Sequence, residues 1–390
     1  TGSLEYTGRH QPVIYLDHNA TTPPAPEAVA AMNRCLTETW GNPSSLHAYG
    51  QQARAAMEHA RLALAALIHA PAANILFTGS ATEATNQLLL APLLGASSGP
   101  RHLITSAIEH PCVLEPARVL ESHGWSVTRL GADAEGRVDP HSVADAIRPE
   151  TALVSVMLAN NDTGVIQPIR EIAEIARRCG VPMHTDAVQA VGRIPVDFEA
   201  LGVDFLTLSA HKFYGPKGAG ALAFRDGHAI APLLFGGGQE RTLRAGTENL
   251  PGICGLGAAA ELAQREMADD AVRIAALRDR LQAGLLSAFP DARVNGGRAP
   301  RVPGTLNIAF PGIDAVAAVM RLDLAGIAAA TTSACSTAKR EPPHALVAMG
   351  LAPELAKASL RFSLGRATTE AEIDETLASL ITLVPLLRNR

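Results

Sequence analysis

The chain of 390 residues has no apolar stretch long enough to cross a bilayer. Its longest, such as Leu88–Leu94, break or meet proline within about ten residues, against the roughly 18 that a spanning helix needs. There is no run of Lys or Arg, and the net charge is −5, so neither nucleic acid nor an anionic membrane surface is expected as a main ligand. The five cysteines, Cys35, Cys112, Cys179, Cys254 and Cys335, are scattered, form no CxxC pair and follow no secretory-type apolar segment. A disulfide framework is therefore not expected, and a reducing cytoplasm is. No spacing suits a metal site, and no internal repeat or low-complexity tract breaks the pattern. Residues 1–11 lack periodicity and are given no function.

What remains is the profile of a compact α/β protein: 47% hydrophobic and 18% charged residues, with 33 Gly and 26 Pro. Helical periodicity runs over Ala53–Ile68, Ile169–Arg178, Gly255–Ala288, Ile313–Leu322 and Glu370–Leu387. Short apolar runs at Ile75–Thr78, His102–Thr105, Leu153–Leu158, Val181–His184, Phe205–Leu208 and Ala219–Phe224 read as buried, mainly parallel strands. Isolated strands, Thr305–Phe310 and Ser359–Ser363, follow the long helix. The expected division is an N-terminal segment (1–26) contributing to a small domain, a large domain (27–262) and a small C-terminal domain (263–390).

Three segments carry recognisable chemistry. In SAHKFYGPKG, Lys212 directly follows a strand, where burial can lower its pKa and free the amine for Schiff-base chemistry. In HTDAVQAVG, Asp186 ends a strand, where a carboxylate can keep a heterocyclic nitrogen protonated. Both lie beyond the carboxyl ends of strands, where open α/β sheets bind ligands. In TGSATEATN a strand passes into a helix through small residues, and Ala81 and Thr82 offer first-turn amides to a phosphate. Taken singly, each has a plainer reading: a surface lysine in a Gly/Pro turn, an Asp capping a turn or helix, and Thr82 as an ordinary N-terminal cap.

Together with YLDHNATTP (15–23), GNPSS (41–45), NNDTG (160–164), GGGQERTLRAGTEN (236–249), SAC (333–335) and RFSLGR (361–366), these segments resemble, in order, the class V aminotransferase-fold cysteine desulfurases of the group that supplies sulfur for iron–sulfur clusters. The resemblance covers Tyr15 to about Leu387. It implies a fold-type I pyridoxal-phosphate enzyme with a mainly parallel sheet in the large domain and a smaller α+β domain. Lys212 would bind the cofactor covalently, Asp186 pair with the ring nitrogen, Gln189 meet the phenolic oxygen and His110 stack on the ring. Ala81, Thr82, Ser209 and His211 would hold the phosphate, with Thr247 reaching the phosphate of a neighbouring subunit, so a homodimer is implied. Asn42, Asn161 and Arg361 would place the substrate L-cysteine, Asn161 also lining the cofactor.

Cys335, in the small-residue stretch TTSACSTAKREPP, is the expected nucleophile, carrying sulfur as a persulfide for a sulfur-acceptor protein. Cys35 and Cys179 fall in helical patterns and Cys254 in a Gly-rich apolar turn, so all three read as packing residues; Cys112 lies two residues from His110. Thr331 and Thr332 precede Ser333 where a glycine is usual, and Asp162 and Thr163 stand where Glu and Ile are common. Neither departure is expected to touch a catalytic atom. Rival readings are a selenocysteine lyase or another β-elimination lyase and, from a different class, a silent scaffold for a sulfur acceptor. Intact Lys212 and Asp186 argue against the scaffold.

Overall fold

The computed structural model describes residues 14–94, 99, 101–331 and 341–388. A seven-stranded sheet has the spatial order Ile75–Thr78, Gly220–Phe224, Phe205–Ser209, Met183–Asp186, Thr151–Ser155, His102–Ser106, Ser126–Leu130. Gly220–Phe224 pairs antiparallel with both its neighbours, and the remaining pairs are parallel. Six strands therefore run one way, and their carboxyl ends share one edge. Ser126–Leu130, absent from the sequence reading, is an outer strand with one buried residue, so its alternation is weak.

The inner strands are buried on both faces, as their unbroken apolar pattern requires. One core, including Ile104, Val154, Met183, Leu206 and Leu208, packs against Ala53, Leu64 and Ile68 of the helix Ala48–Ile68. A four-stranded antiparallel sheet is ordered Ala330–Thr331, Ser359–Ser363, Thr305–Ala309, Arg293–Val294. Its core joins Leu306, Ile308, Phe310, Leu360 and Phe362 to Ile14 and Leu16, and Ile14–Tyr15 pairs parallel with Ile327–Ala328.

The helix Leu250–Ala288 serves both cores, with Ile253, Leu256 and Ala259 in the first and Ile274, Leu277 and Leu281 in the second. It begins at Leu250, capped by the Asn249 side chain, which accepts from the Gly252 amide at 3.2 Å. Cys254 therefore stands in a helix and not in a turn. Close packing explains the misread glycines: a Cβ at Gly257 would come within 2.6 Å of Ala60, and one at Gly255 within 2.9 Å of Met32. No helix among the described residues is long and apolar enough to cross a membrane.

Candidate active site

Parallel strands deliver the site residues to one edge. Asp186 is the last residue of Met183–Asp186, and Lys212 closes the 3-10 turn that follows Phe205–Ser209. Ser106 ends another strand, four residues before His110, which caps the helix Pro111–Ser122. Asn160 and Asn161 lie beyond Thr151–Ser155.

Lys212 Nζ donates to the carbonyls of Asn19 at 2.6 Å and Ala20 at 2.7 Å. Burial foremost, then the Arg193 and Arg361 cations, pull its pKa down to about 8, against the opposing pull of Asp186 and Asp17. The site thus holds an amine that releases its proton near neutrality. His211 is lowered to about 4 by burial and by the neighbouring Lys212 charge, and its Nδ1 meets Thr21 Oγ1 at 3.1 Å.

Asp186 is buried; its Oδ1 accepts the Val188 amide at 2.9 Å and its Oδ2 faces Cys112 Sγ at 3.5 Å. Gln189 donates through Nε2 to Asn19 O at 3.0 Å, while its buried Oε1 has no partner among the described residues. His110 Nδ1 accepts the Cys112 amide at 3.1 Å, and burial lowers the imidazole pKa, with Asp186 opposing.

At the head of the helix Ala81–Leu90, the capping hydroxyl belongs to Ser80, which accepts from the Glu83 amide at 3.1 Å. The cap reading for Thr82 is thereby corrected. Thr82 is exposed in the first turn, where backbone amides have no partner within the helix. Ser209 is buried beside this turn, and its strand partner Gly220 lies so close that a Cβ there would come 2.8 Å from the Ala81 nitrogen.

Arg361 lies mid-strand in Ser359–Ser363, with its side chain 5% exposed. Its Nη2 donates to Asp17 Oδ1 at 2.9 Å and its Nη1 to Asn161 O at 3.1 Å, while Nε has no partner among the described residues. Asp162 adjoins the group expected to place the substrate. Its Oδ1 accepts from Asn161 Nδ2 at 2.8 Å and lies 3.5 Å from Arg361 Nη1, so it touches both residues expected to place the substrate. Burial raises its pKa to about 6 despite Arg361.

Asn42 and Thr247 stand apart from this group. Both are exposed, and Asn42 Oδ1 accepts the Ser44 amide at 2.9 Å on its own loop. The loop before Thr247 is tied down by a buried ion pair, Arg61 Nη2 to Glu240 Oε1 at 2.6 Å, and by Arg244 Nε to Glu83 Oε1 at 2.8 Å. Between these anchors Glu240, Arg241 and Thr242 take φ of 44°, 60° and 69°. Cys335 lies outside the described residues.

Sequence reading assigned no role to Asp17, Asn19, Arg193 or Glu109. The first two sit in YLDHNATTP, whose position in the motif was the available signal. Arg193 donates to Asn19 Oδ1 and, at 2.8 Å, to His18 O, which holds this N-terminal stretch over Lys212. Glu109 is fully buried; Ser106 Oγ at 2.5 Å and the Met157 amide at 2.9 Å donate to its Oε1.

The family pattern described as aminotransferase class-V matches residues 14–376. The chain is 44% identical over 375 residues to the cysteine desulfurase IscS of Dictyoglomus turgidum, covering 96% of this chain and 95% of that one. It is 46% identical to cysteine desulfurase 2 of Trichormus variabilis, covering 96% and 94%. A solved structure named as a NifS-like protein superposes with a TM-score of 0.89 at 35% identity, covering 96% of this chain and all of that one. With Lys212, Asp186 and His110 gathered at one edge of a mainly parallel sheet and Arg361 approaching Lys212 from the smaller sheet, the chain belongs to the aminotransferase class-V family and, within it, to the cysteine desulfurases.

Proposed function

We propose that the protein is a pyridoxal-phosphate-dependent cysteine desulfurase that converts L-cysteine to L-alanine and keeps the sulfur as a persulfide on Cys335. The observation that carries this reading is Lys212: a desolvated amine with its pKa near 8, under the influence of the Asp186 carboxylate and the Arg361 guanidinium.

The residues fit the cofactor. Lys212 supplies the amine, buried Asp186 an anion for the ring nitrogen, and Gln189 a buried oxygen that has no donor among the described residues. The open first turn at Ala81 and Thr82, with Ser209 beside it, suits a phosphate, His211 would be a further ligand, and the missing Cβ of Gly220 lets its strand lie against the backbone there. When bound, pyridoxal phosphate supplies an electron sink for the bond broken at the substrate Cα.

Each chain residue then has a task. Arg361, with Asn161 beside it, binds the substrate carboxylate, and its Nε, without a partner among the described residues, gives the guanidinium a donor for that anion. Lys212, as the free amine, removes the Cα proton. The Cys335 thiolate attacks the substrate sulfur, forming a sulfur–sulfur bond. The carbon–sulfur bond breaks with its electron pair left on carbon, which takes up a proton and leaves as alanine.

A homodimer is supported by exposed apolar side chains around Asn42: Leu36, Trp40, Leu46 and Tyr49, with the Trp40 and Tyr49 rings stacked at 5.1 Å. Thr247 and Asn42, exposed in one chain, would complete a site shared with a second copy. A cytoplasmic location and a sulfur-acceptor protein as recipient belong to the same reading. The boundary between units falls within Leu250–Ala288, a division favoured by its two separate cores.

Mass spectrometry after incubation with isotopically labelled cysteine tests the reading. A mass gain of one sulfur on the peptide holding Cys335, with one alanine released per sulfur, is the expected result. Selenocysteine yielding alanine much faster than cysteine would favour the lyase rival instead.

A further inference from the structure

Cys112 lies behind the proposed ring site, in the first turn of the helix Pro111–Ser122, and is buried. Two of its groups point to residues of the site. Its amide donates to His110 Nδ1 at 3.1 Å, and its Sγ lies 3.5 Å from Asp186 Oδ2, within the reach of an S–H donor. The other Asp186 oxygen takes the Val188 amide at 2.9 Å. With one donor on each oxygen, rotation of the carboxylate about its Cβ–Cγ bond is restrained.

We infer that Cys112 is a positioning residue for both Asp186 and His110: its thiol holds the carboxylate, its amide holds the imidazole, and so one residue sets their relative placement. The inference rests on the cofactor reading above, in which His110 covers the face of a ring whose nitrogen meets Asp186. A nitrogen and a face of one ring have a fixed spacing, and a single short link between their two partners maintains that spacing.

The thiol is suited to donating and unsuited to attack. Burial, then the Asp186 charge and its hydrogen bond, then the nearby Glu109, raise its pKa well above the usual thiol value. It therefore keeps its proton through the neutral range. This separates it from Cys335, whose proposed task needs the thiolate.

Cys112 belongs to a buried apolar cluster with Leu76, Ala84, Leu103 and Val113, and one polar chain of contacts leads away from its sulfur. Thr85 contacts the sulfur, and its hydroxyl lies 3.4 Å from Thr207 Oγ1, which meets His184 Nε2 at 3.1 Å. Thr85, Thr207 and His184 are fully buried, and burial lowers His184 to about 3, so that ring is neutral. This chain of contacts holds no cation; the cationic group that acts on Asp186 is Lys212, from the turn after Phe205–Ser209.

Infrared spectroscopy of the protein without pyridoxal phosphate tests the hydrogen bond directly. The S–H stretching band that disappears in Cys112→Ala should lie at low frequency in the parent and move up in Asp186→Asn, where the acceptor has lost its charge. A band at the free-thiol frequency, or one unmoved by Asp186→Asn, overturns the inference whatever the cofactor does.

Pyridoxal phosphate is then added. Cys112→Ala should weaken its binding about three- to tenfold and shift the pH midpoint of its visible absorbance, as expected for removing one weak S–H donor. Cys112→Ser, which keeps a donor, should restore both. Equal losses in the Ala and Ser variants would mean a packing role and overturn the inference. A parent that shows the low-frequency band yet binds no pyridoxal phosphate would overturn the functional reading, and the positioning role with it, while leaving the hydrogen bond in place.

Discussion

Arg361 and Asp17 form an ion pair of 2.9 Å in which the guanidinium side chain is only 5% exposed and the carboxylate 21%. The residues are 344 positions apart, and the bridge between Asp17 and Ser363 brings their strands together. The group proposed to bind the substrate carboxylate is thus already oriented by a carboxylate of the chain, with Asp162 as a second acid at 3.5 Å.

Arg361→Ala should therefore do two things. Substrate binding or transition-state stabilisation should fall by about 2–5 kcal/mol with pyridoxal-phosphate content unchanged, and Arg361→Lys should recover only part, since an ammonium lacks the planar fork. The loss also strands Asp162. Its folded pKa, about 6, already lies above the ordinary value of 3.8, so the folded state binds the extra proton and stability falls as pH rises through that window. Removing Arg361, which lowers this pKa, moves the window upward. Denaturant titration should find Arg361→Ala destabilised more at pH 8 than at pH 5, and an equal deficit at both would remove Asp162 from the account.

Lys212 should react with simple aldehydes, in the protein freed of cofactor, with a pH midpoint near 8. At pH 7 about a tenth of it is the free amine, against well under a thousandth of an ordinary lysine. Borohydride trapping followed by peptide mapping checks both the site and the midpoint. Trapping at Lys217, or a midpoint above 10, would refute the assignment.

Glu109 should titrate the fold. Burial raises its pKa from 4.5 to about 8, with Asp186 adding to the rise, and the Ser106 and Met157 donors do not offset it. Between those two values the folded state holds a proton that the unfolded state has lost. The stability contributed by the neutral acid is full below about pH 4.5 and declines toward pH 8, by on the order of a few kcal/mol. Glu109→Gln keeps an acceptor for both donors and cannot ionise. Its stability relative to the parent should grow between pH 5 and pH 8.5, and a constant difference would mean that Glu109 takes up no proton on folding.

Cys335→Ser should still bind pyridoxal phosphate and cysteine, because those steps use Lys212, Asp186 and Arg361. Alanine formation and protein-bound persulfide should both collapse, since a hydroxyl with its much higher pKa cannot take over sulfur from carbon. Alanine produced from cysteine at the parent rate would place the nucleophile elsewhere or make sulfur loss a simple elimination.

Much of the strand order along the chain could be read directly, because strands buried on both faces appear as apolar runs: Ser359–Ser363 agrees residue for residue, and His102–Ser106 and Phe205–Ser209 differ by one. Lys212 and Asp186 were legible for the same reason, each standing where such a run ends. Asp17, Asn19 and Asp162 were not. Their contacts with Arg361 and Lys212 arise where separate segments meet, and nothing local distinguishes an aspartate that orients an arginine from one that caps a turn. Cys254 was misread because Gly255 and Gly257 resemble a turn in sequence, whereas in the fold they let the helix lie against Met32 and Ala60.

The three successive left-handed residues Glu240, Arg241 and Thr242 have a consequence for which mutations this loop can absorb. Each sits where an L side chain costs roughly 1–3 kcal/mol, so the loop's shape is imposed from outside by Arg61 on Glu240 and by Arg241 on the Ala73 and Ile75 carbonyls. Thr242 is exposed and β-branched, the least comfortable occupant of such a position. Glycine at 242 should be a gain for the fold, and a library of substitutions should enrich it there under thermal selection while depleting proline and valine. At 240 the ranking should invert: no residue but glutamate both spans to Arg61 and accepts the Phe77 amide, so the strain is retained in order to keep that link.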